Sequence, residues 1–220
     1  YKETDQLGGK DIYSASKAAA EIFISSFFRS FLSSKENLTI AVGRAGNVIG
    51  GGDWAKDRVV VDCMKAWDKN EAVKIRNPES TRPWQHVLEP LSGYLHLTNI
   101  IYESREFNGE VFNFGPNPKD IMSVKSLIEK LSKKFKIENP YEIARSSNFP
   151  ESSLLQLDIS KARKLLSWQP TLHTKEMIES VSDWYFNFFN GDEDLLDFSS
   201  KQIEMYESKA SKRKLSWTKH

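Results

Sequence analysis

Between Ser14 and about Ser33 the run ASKAAAEIFISSFFRSFL puts alanine and phenylalanine on several faces of one helix. That pattern predicts a helix buried on more than one side, at a sheet or a subunit interface. The β-branched run LTIAVGR, Leu38 to Arg44, predicts a short buried strand, and it feeds the Gly-rich loop GNVIGGGDW. In open α/β sheets ligands bind at that carboxyl edge. Next come a helix near Asp57 to Asp68 with Val60, Met64 and Trp67 inward, a strand in AVKIR, and a loop NPESTRPWQH. A helix from about Leu88 to Glu103 follows, with Leu91, Leu95, Thr98 and Ile101 or Tyr102 expected inward. GEVFNFG, Gly109 to Gly115, predicts another strand, and the stripe Val124, Leu127, Ile128, Leu131 and Phe135 a helix that Ser123 can cap.

The last third reads as a strand ending at Asp158, a short helix stopped by Pro170, and a long helix from Thr174 to Asn190. Met177, Ile178, Val181, Trp184, Tyr185 and Phe188 form the apolar stripe of that helix, which points to core packing. After it, one or two amphipathic turns around Ile203 and Tyr206 give way to a basic tail, expected to be solvated.

Composition narrows the class without naming a partner. With 39% hydrophobic and 12% aromatic residues, the 220-residue chain can bury a sizeable core. Thirty-one basic against 30 acidic side chains give no global field, and KRK near the end lacks interleaved aromatics, so nucleic acid is not an expected partner. No apolar run approaches the roughly 20 residues that span a bilayer, so no membrane partner is expected either. The single cysteine, Cys63, lies in VVVDCMKAW; it excludes an internal disulfide, reads as a packed thiol, and fits a reducing, cytoplasmic setting.

Chemistry enters with DIYSASKAAAEIF, where Tyr13 and Lys17 stand four apart on a predicted helix and so share a face. An ammonium beside a tyrosine stabilises the phenolate, and a phenolate can take a proton from a sugar hydroxyl. The spacing alone also describes an ordinary exposed helical pair. Around it, YSASK followed by AAAE resembles the catalytic helix of the extended short-chain dehydrogenase/reductase family, and its small residues leave room for a nicotinamide ring and a substrate. VGRAGNVIGGGDW resembles the strand and loop that open the nucleotide-sugar site in that family's dehydratases and epimerases. RNPESTRPWQHVLEPLSGYL and LDISKARKLLSWQPTLHTKEMIESVSDWY resemble later segments of the same group, so the resemblance covers nearly the whole chain.

The resemblance implies an α/β protein: the C-terminal part of a Rossmann-like doubly wound fold, its N-terminal strands missing, with a small mixed α/β substrate lobe. Residues 1–50 and 84–120 would be the remnant of the NAD-binding domain, and 51–83 with 121–220 the substrate lobe. Tyr13 would be the base, and Tyr13 and Lys17 would contact NAD. Asn47 would hydrogen-bond the sugar nucleotide, with glycines 50–52 allowing close backbone approach, while Arg82 and Arg58 would sit on its diphosphate and Arg76 near its base. The phenylalanine-rich helix carrying Tyr13 and Lys17 would pair with its twin in a homodimer. Two departures from the group are visible: FPESS around Pro150 replaces a commoner Pro-His-Glu-Ala, and Ser167 stands where glycine is usual. The chain has no Gly-x-Gly-x-x-Gly turn, the feature that holds a dinucleotide pyrophosphate, so these residues alone are expected neither to bind NAD well nor to turn over substrate.

Overall fold

Asp11 starts the first helix: its side chain accepts a hydrogen bond from Ser14 N at 2.9 Å. Helix α1 (Ile12–Phe27) then runs into one π-helical turn, Phe28–Leu32. The computed structural model describes all residues except 10, 145–154, 192 and 219–220. The Pro150 segment therefore lies outside the described residues.

β1 (Val42–Ala45) pairs in parallel with β6 (Val111–Phe114), Val42 opposite Val111. Neighbouring strand residues point to opposite faces, which decides what covers this ladder. On one side Gly43 meets helix α3 (Leu88–Glu103), where an added Cβ would come 2.6 Å from the Tyr94 ring. On the other, Arg44 forks onto Glu21 of α1 through Nε and Nη2. The two helices thus sandwich the ladder. Past β1, β2 (Val48–Ile49) pairs in parallel with β5 (Gln85–His86). The intervening chain holds α2 (Val59–Trp67), β3 (Val73–Ile75) and β4 (Thr81–Arg82). β4 pairs antiparallel with β7 (Met122–Ser123), and β3 pairs in parallel with β8 (Tyr141–Ile143).

Two buried clusters result. Val60, Cys63 and Met64 of α2 pack with Leu127, Ile128 and Leu131 of α4 (Val124–Phe135) and with Met177, Val181 and Tyr185 of α6 (Thr174–Asn190). Phe112 and Phe114 of β6 pack with Leu97, Leu166, Trp168 and Ala162 of α5 (Ser160–Leu165). Ser123 does cap α4, accepting from Ser126 N at 3.2 Å. Cys63 is fully buried and burial pushes its thiol pKa up, so it is a packed thiol as expected.

Four expectations need correction. First, within this chain α1 and the turn after it are largely exposed rather than buried on several sides: Tyr13, Phe23 and Phe31 are 69%, 68% and 61% exposed, and of α1 only Ala18 is buried. Second, α3 turns the other way. Leu95 and Tyr102 are 72% and 89% exposed and Thr98 is exposed, while Glu89, Pro90, Ser92, Gly93, His96 and Leu97 face inward. The inward bulk comes from the opposite side, since a Cβ on Gly93 would lie 2.3 Å from the Phe114 ring; only small residues fit there. Third, among the described residues 155–158 no strand forms ahead of Asp158; the backbone there meets Tyr1 instead, Asp158 N donating to Tyr1 O at 2.8 Å and the Tyr1 amine to Gln156 O at 2.6 Å. Fourth, the end of the chain is not one or two turns and a solvated tail. α7 (Leu195–Lys212) has 18 residues, with Gln202, Tyr206 and Ala210 buried, and Arg213 bonds Thr171 O and Glu176.

The backbone at Ser167 is one that glycine would suit better. Its φ is +54°, a left-handed conformation that costs a side chain roughly 1 kcal/mol. Ser167→Gly is therefore expected to stabilise the chain by about 0.5–1 kcal/mol, a rise of ~1–4 °C in a thermal melt; an unchanged or lower midpoint would refute the strain.

Candidate functional site

Tyr13 and Lys17 lie one turn apart on α1, both exposed, with Lys17 Nζ 5.6 Å from the centre of the Tyr13 ring. The Asp11 cap fixes where this helix begins, and the Arg44–Glu21 ion pair, 19% and 15% exposed at its side chains, fixes how it lies on β1. That pair is a positioning contact which the sequence reading did not single out; Glu21 closes AAAE and Arg44 closes LTIAVGR, and only their convergence is informative. It ties the Tyr13 helix to a strand whose end leads, three residues after Arg44, to Asn47.

Asn47 sits in the loop between β1 and β2, half-buried, and its carbonyl accepts from Gln85 N at 2.9 Å. Gly46 makes this approach possible, because a Cβ there would fall 2.8 Å from Pro83 Cγ. The contact brings Asn47 beside the segment Arg82–Gln85. Arg82 is half-buried on β4, with Nη1 donating to Thr81 O at 2.9 Å, and the β4–β7 ladder holds its backbone opposite Met122. Arg58 is exposed at the first end of α2, extended at φ −111°, after Asp57 at φ +60°. Arg76 is exposed directly after β3. So Asn47 and Arg82 share one neighbourhood, Tyr13 and Lys17 another joined to it by β1, and Arg58 and Arg76 each stand at the end of an element.

Two of the glycines after Asn47 are fitted closely to the protein's own chain. A Cβ on Gly50 would lie 2.8 Å from Val87 Cγ1, and on Gly51 2.0 Å from the Trp184 ring. Their close approach is to β5's outgoing chain and to α6. Tyr185 adds to this, donating its hydroxyl to Asp53 O at 2.8 Å. The loop is thereby fastened to α6.

Behind the loop lies a buried polar layer that periodicity could not reveal. His86 Nδ1 accepts from Leu88 N at 3.3 Å, which leaves Nε2–H for Ser180 Oγ at 3.1 Å, and burial pushes the imidazole pKa down to about 4. Asp120 accepts from Thr174 N at 3.2 Å and Thr174 Oγ1 at 2.8 Å; burial opposes but these bonds outweigh it, holding its carboxyl below the usual range. Among the described residues no cluster of His, Cys, Asp and Glu could hold a metal ion, and no helix is long and apolar enough to cross a membrane.

This fold is Rossmann-like, shared with nucleotide-sugar epimerases and dehydratases. It superposes on UDP-glucuronic acid 4-epimerase from Bacillus cereus, a complex with NAD, with a TM-score of 0.70, 20% identity, and coverage of 89% of this chain and 57% of the other. On dTDP-glucose 4,6-dehydratase from Bacillus anthracis, also with NAD, the TM-score is 0.70 at 16% identity, covering 84% of this chain and 55% of that one. In sequence the chain resembles one protein in particular, CDP-glucose 4,6-dehydratase of Salmonella typhimurium, at 38% identity over 212 residues. The alignment takes in 94% of this chain, which spans 59% of that relative's length. No protein-family model matches the chain.

Proposed function

We propose that this chain supplies the sugar-nucleotide side of an NAD-dependent CDP-glucose 4,6-dehydratase, a hydro-lyase that converts CDP-glucose to CDP-4-dehydro-6-deoxy-glucose for deoxysugar synthesis. The observation that carries the reading is the 38% identity to that enzyme over a chain in which Tyr13 and Lys17 sit together on an open helix face. Ser16, the residue between them that shares this face, is small and leaves room for a flat nicotinamide ring against it. NAD, when bound, supplies the acceptor for the C4 hydride and returns it to C6. Tyr13 takes the proton of the sugar 4-hydroxyl as a general base, and Lys17 stabilises the phenolate and hydrogen-bonds the nicotinamide ribose. Asn47 orients the sugar nucleotide, Arg58 and Arg82 neutralise its diphosphate, and Arg76 lies toward its base. Water elimination across C5 and C6 draws on an acid and a base not assigned among these residues.

In this reading the partners are CDP-glucose and a second copy of the protein, with no nucleic acid or membrane, in the cytoplasm. The homodimer would form through α1 and the π-helical turn after it, where Phe23 stacks on Phe27 at 6.0 Å and Phe31 lies tilted against Phe27 at 5.2 Å on an exposed face. Light scattering on the complete enzyme tests this, and a monomer would refute it.

The decisive experiment is turnover by the complete enzyme with NAD and CDP-glucose, with dTDP-glucose and UDP-glucose in parallel. Formation of a 4-keto-6-deoxy product from CDP-glucose alone is expected; a preference for dTDP-glucose, or simple inversion at C4, would replace the reading with another dehydratase or a 4-epimerase. For the 220 residues by themselves, titration with NAD is expected to show no saturable binding in the micromolar range, since the pyrophosphate turn is not among them.

A further inference from the structure

Glu89 is a carboxyl group 2% exposed in the first turn of α3, and two other pieces of chain converge on it. Its Oε1 accepts from Leu172 N at 2.6 Å and its Oε2 from Thr171 N at 2.9 Å, which ties down the turn after Pro170. Oε2 also lies 3.0 Å from the Tyr206 hydroxyl of α7. That hydroxyl is 2.9 Å from Ser92 Oγ, and Ser92 Oγ in turn donates to the backbone oxygen of Glu89 at 2.8 Å.

The protons can be counted. Three oxygen–oxygen contacts run in sequence, from Glu89 Oε2 to Tyr206 to Ser92 to Glu89 O, and each needs one proton to be a hydrogen bond. Ser92 and Tyr206 bring two. Trp168 Nε1 takes a lone pair of Ser92 Oγ at 3.2 Å but adds no proton to the three contacts. With an ionised Glu89 one contact stays empty in every arrangement. A protonated Glu89 fills it: Glu89 donates to Tyr206, Tyr206 to Ser92, and Ser92 to the Glu89 carbonyl.

We propose that Glu89 is a neutral carboxylic acid whose proton closes this chain of hydrogen bonds and latches α7, with the turn after Pro170, onto α3, so that losing the proton loosens the C-terminal helix. The surroundings agree. Burial pushes the Glu89 pKa up from the ordinary 4.5 to about 7, the bonds from Leu172 N and Thr171 N only partly opposing it. The groups that face it are few. Arg213, just after α7, is itself paired with Glu176, and burial raises the Tyr206 hydroxyl so that it keeps its proton. His86 from β5, and Asp120 and His173, line the same small cavity between α3 and the start of α6, with room of about 10 Å³, one water at most.

A carboxyl raised from 4.5 to about 7 holds a proton in the folded chain that the unfolded chain has released, so its stabilisation is complete below 4.5 and gone above about 7. In between, the folding equilibrium constant falls about tenfold per pH unit on its account. His86 opposes this: lowered from 6.5 to about 4, it adds stability as pH rises over nearly the same interval. The test is therefore a difference between wild type and Glu89→Gln, together with infrared spectroscopy on the wild-type chain. The expected results are a protonated-carboxyl carbonyl band at pH 6 that fades by pH 8 and is missing from E89Q. The wild-type to E89Q ratio of folding constants should fall about 40-fold between pH 5 and 7. Amide exchange in α7, corrected for its intrinsic pH dependence, should accelerate above pH 7 in wild type only. Absence of the band at pH 6, or equal pH profiles in both proteins, overturns the proposal. Should E89Q fail to fold, Tyr206→Phe takes its place, since it removes the proton's acceptor and should abolish the pH dependence of α7 exchange; the infrared result stands on the wild type in either case.

Discussion

On the proposed function, replacing Tyr13 by phenylalanine in the complete enzyme is expected to lower kcat for CDP-glucose about 10²–10⁴-fold while leaving KM within a few-fold, the range for loss of a general base that acts only in the transition state. The hydroxyl has no structural duty that its removal could confuse with catalysis: Tyr13 is 69% exposed, and α1 is held by the Asp11 cap and the Arg44–Glu21 pair instead. Steady-state kinetics, with a melt to confirm unchanged stability, measures it. A kcat within threefold of wild type would remove Tyr13 from the chemistry. Sparing Lys17 in the same experiment matters, because an ammonium left beside a phenyl ring can still bind a ribose hydroxyl, and the loss then belongs to the proton transfer alone.

Gly51→Ala is expected to be the most damaging small change in the fold. The added carbon would lie 2.0, 2.2 and 2.5 Å from three atoms of the Trp184 ring, far inside contact distance. Trp184 has little freedom to yield: it is 8% exposed, its Nε1 donates to Ser199 Oγ of α7 at 2.9 Å, and its ring stacks on Phe188 at 5.9 Å. Either α6 gives up those contacts or the loop lifts away, carrying Asn47 with it. A destabilisation of about 3 kcal/mol follows, the upper part of the overpacking range, lowering the melting midpoint by ~6–12 °C. Gly52→Ala provides the comparison. Its Cβ would sit 3.5 Å from Trp184, ordinary contact, so only the strain of φ +77° applies, about 1 kcal/mol. Equal melts for the two variants would show that the Gly51 contact does not matter.

Much of this molecule was legible as one-dimensional pattern, and the successes share a cause. α4 and α6 lie where their apolar stripes predict, because each lays one continuous apolar face on the same core and the period survives. α3 shows where the method fails. Its large apolar residues Leu91, Leu95 and Tyr102 keep a helical period yet point outward, while its inward face is Glu89, Pro90, Ser92, Gly93 and His96, with Leu97 alone of its leucines buried. Size complementarity chose that face: the rings of Phe114 and Trp168 already fill the space, so the helix contributes small and hydrogen-bonded residues. The phenylalanines of α1 mislead in another way. Their pattern reads as a buried helix, yet nothing in the described chain covers it.

The sequence by itself determined the order of the helices through α6, the strands β1, β3 and β6, the Tyr13–Lys17 spacing and the likeness to CDP-glucose 4,6-dehydratase, because these depend on neighbours a few residues apart. Tertiary structure alone decided that Arg44 holds Glu21, that Gly46 and Gly51 are fitted to Pro83 and Trp184, and that Glu89 gathers Thr171, Leu172 and Tyr206. Those contacts join residues up to 117 positions apart. Whether a buried carboxyl has partners, or a glycine has a ring above it, is settled by what the folded chain brings from a distance, and no local period records it.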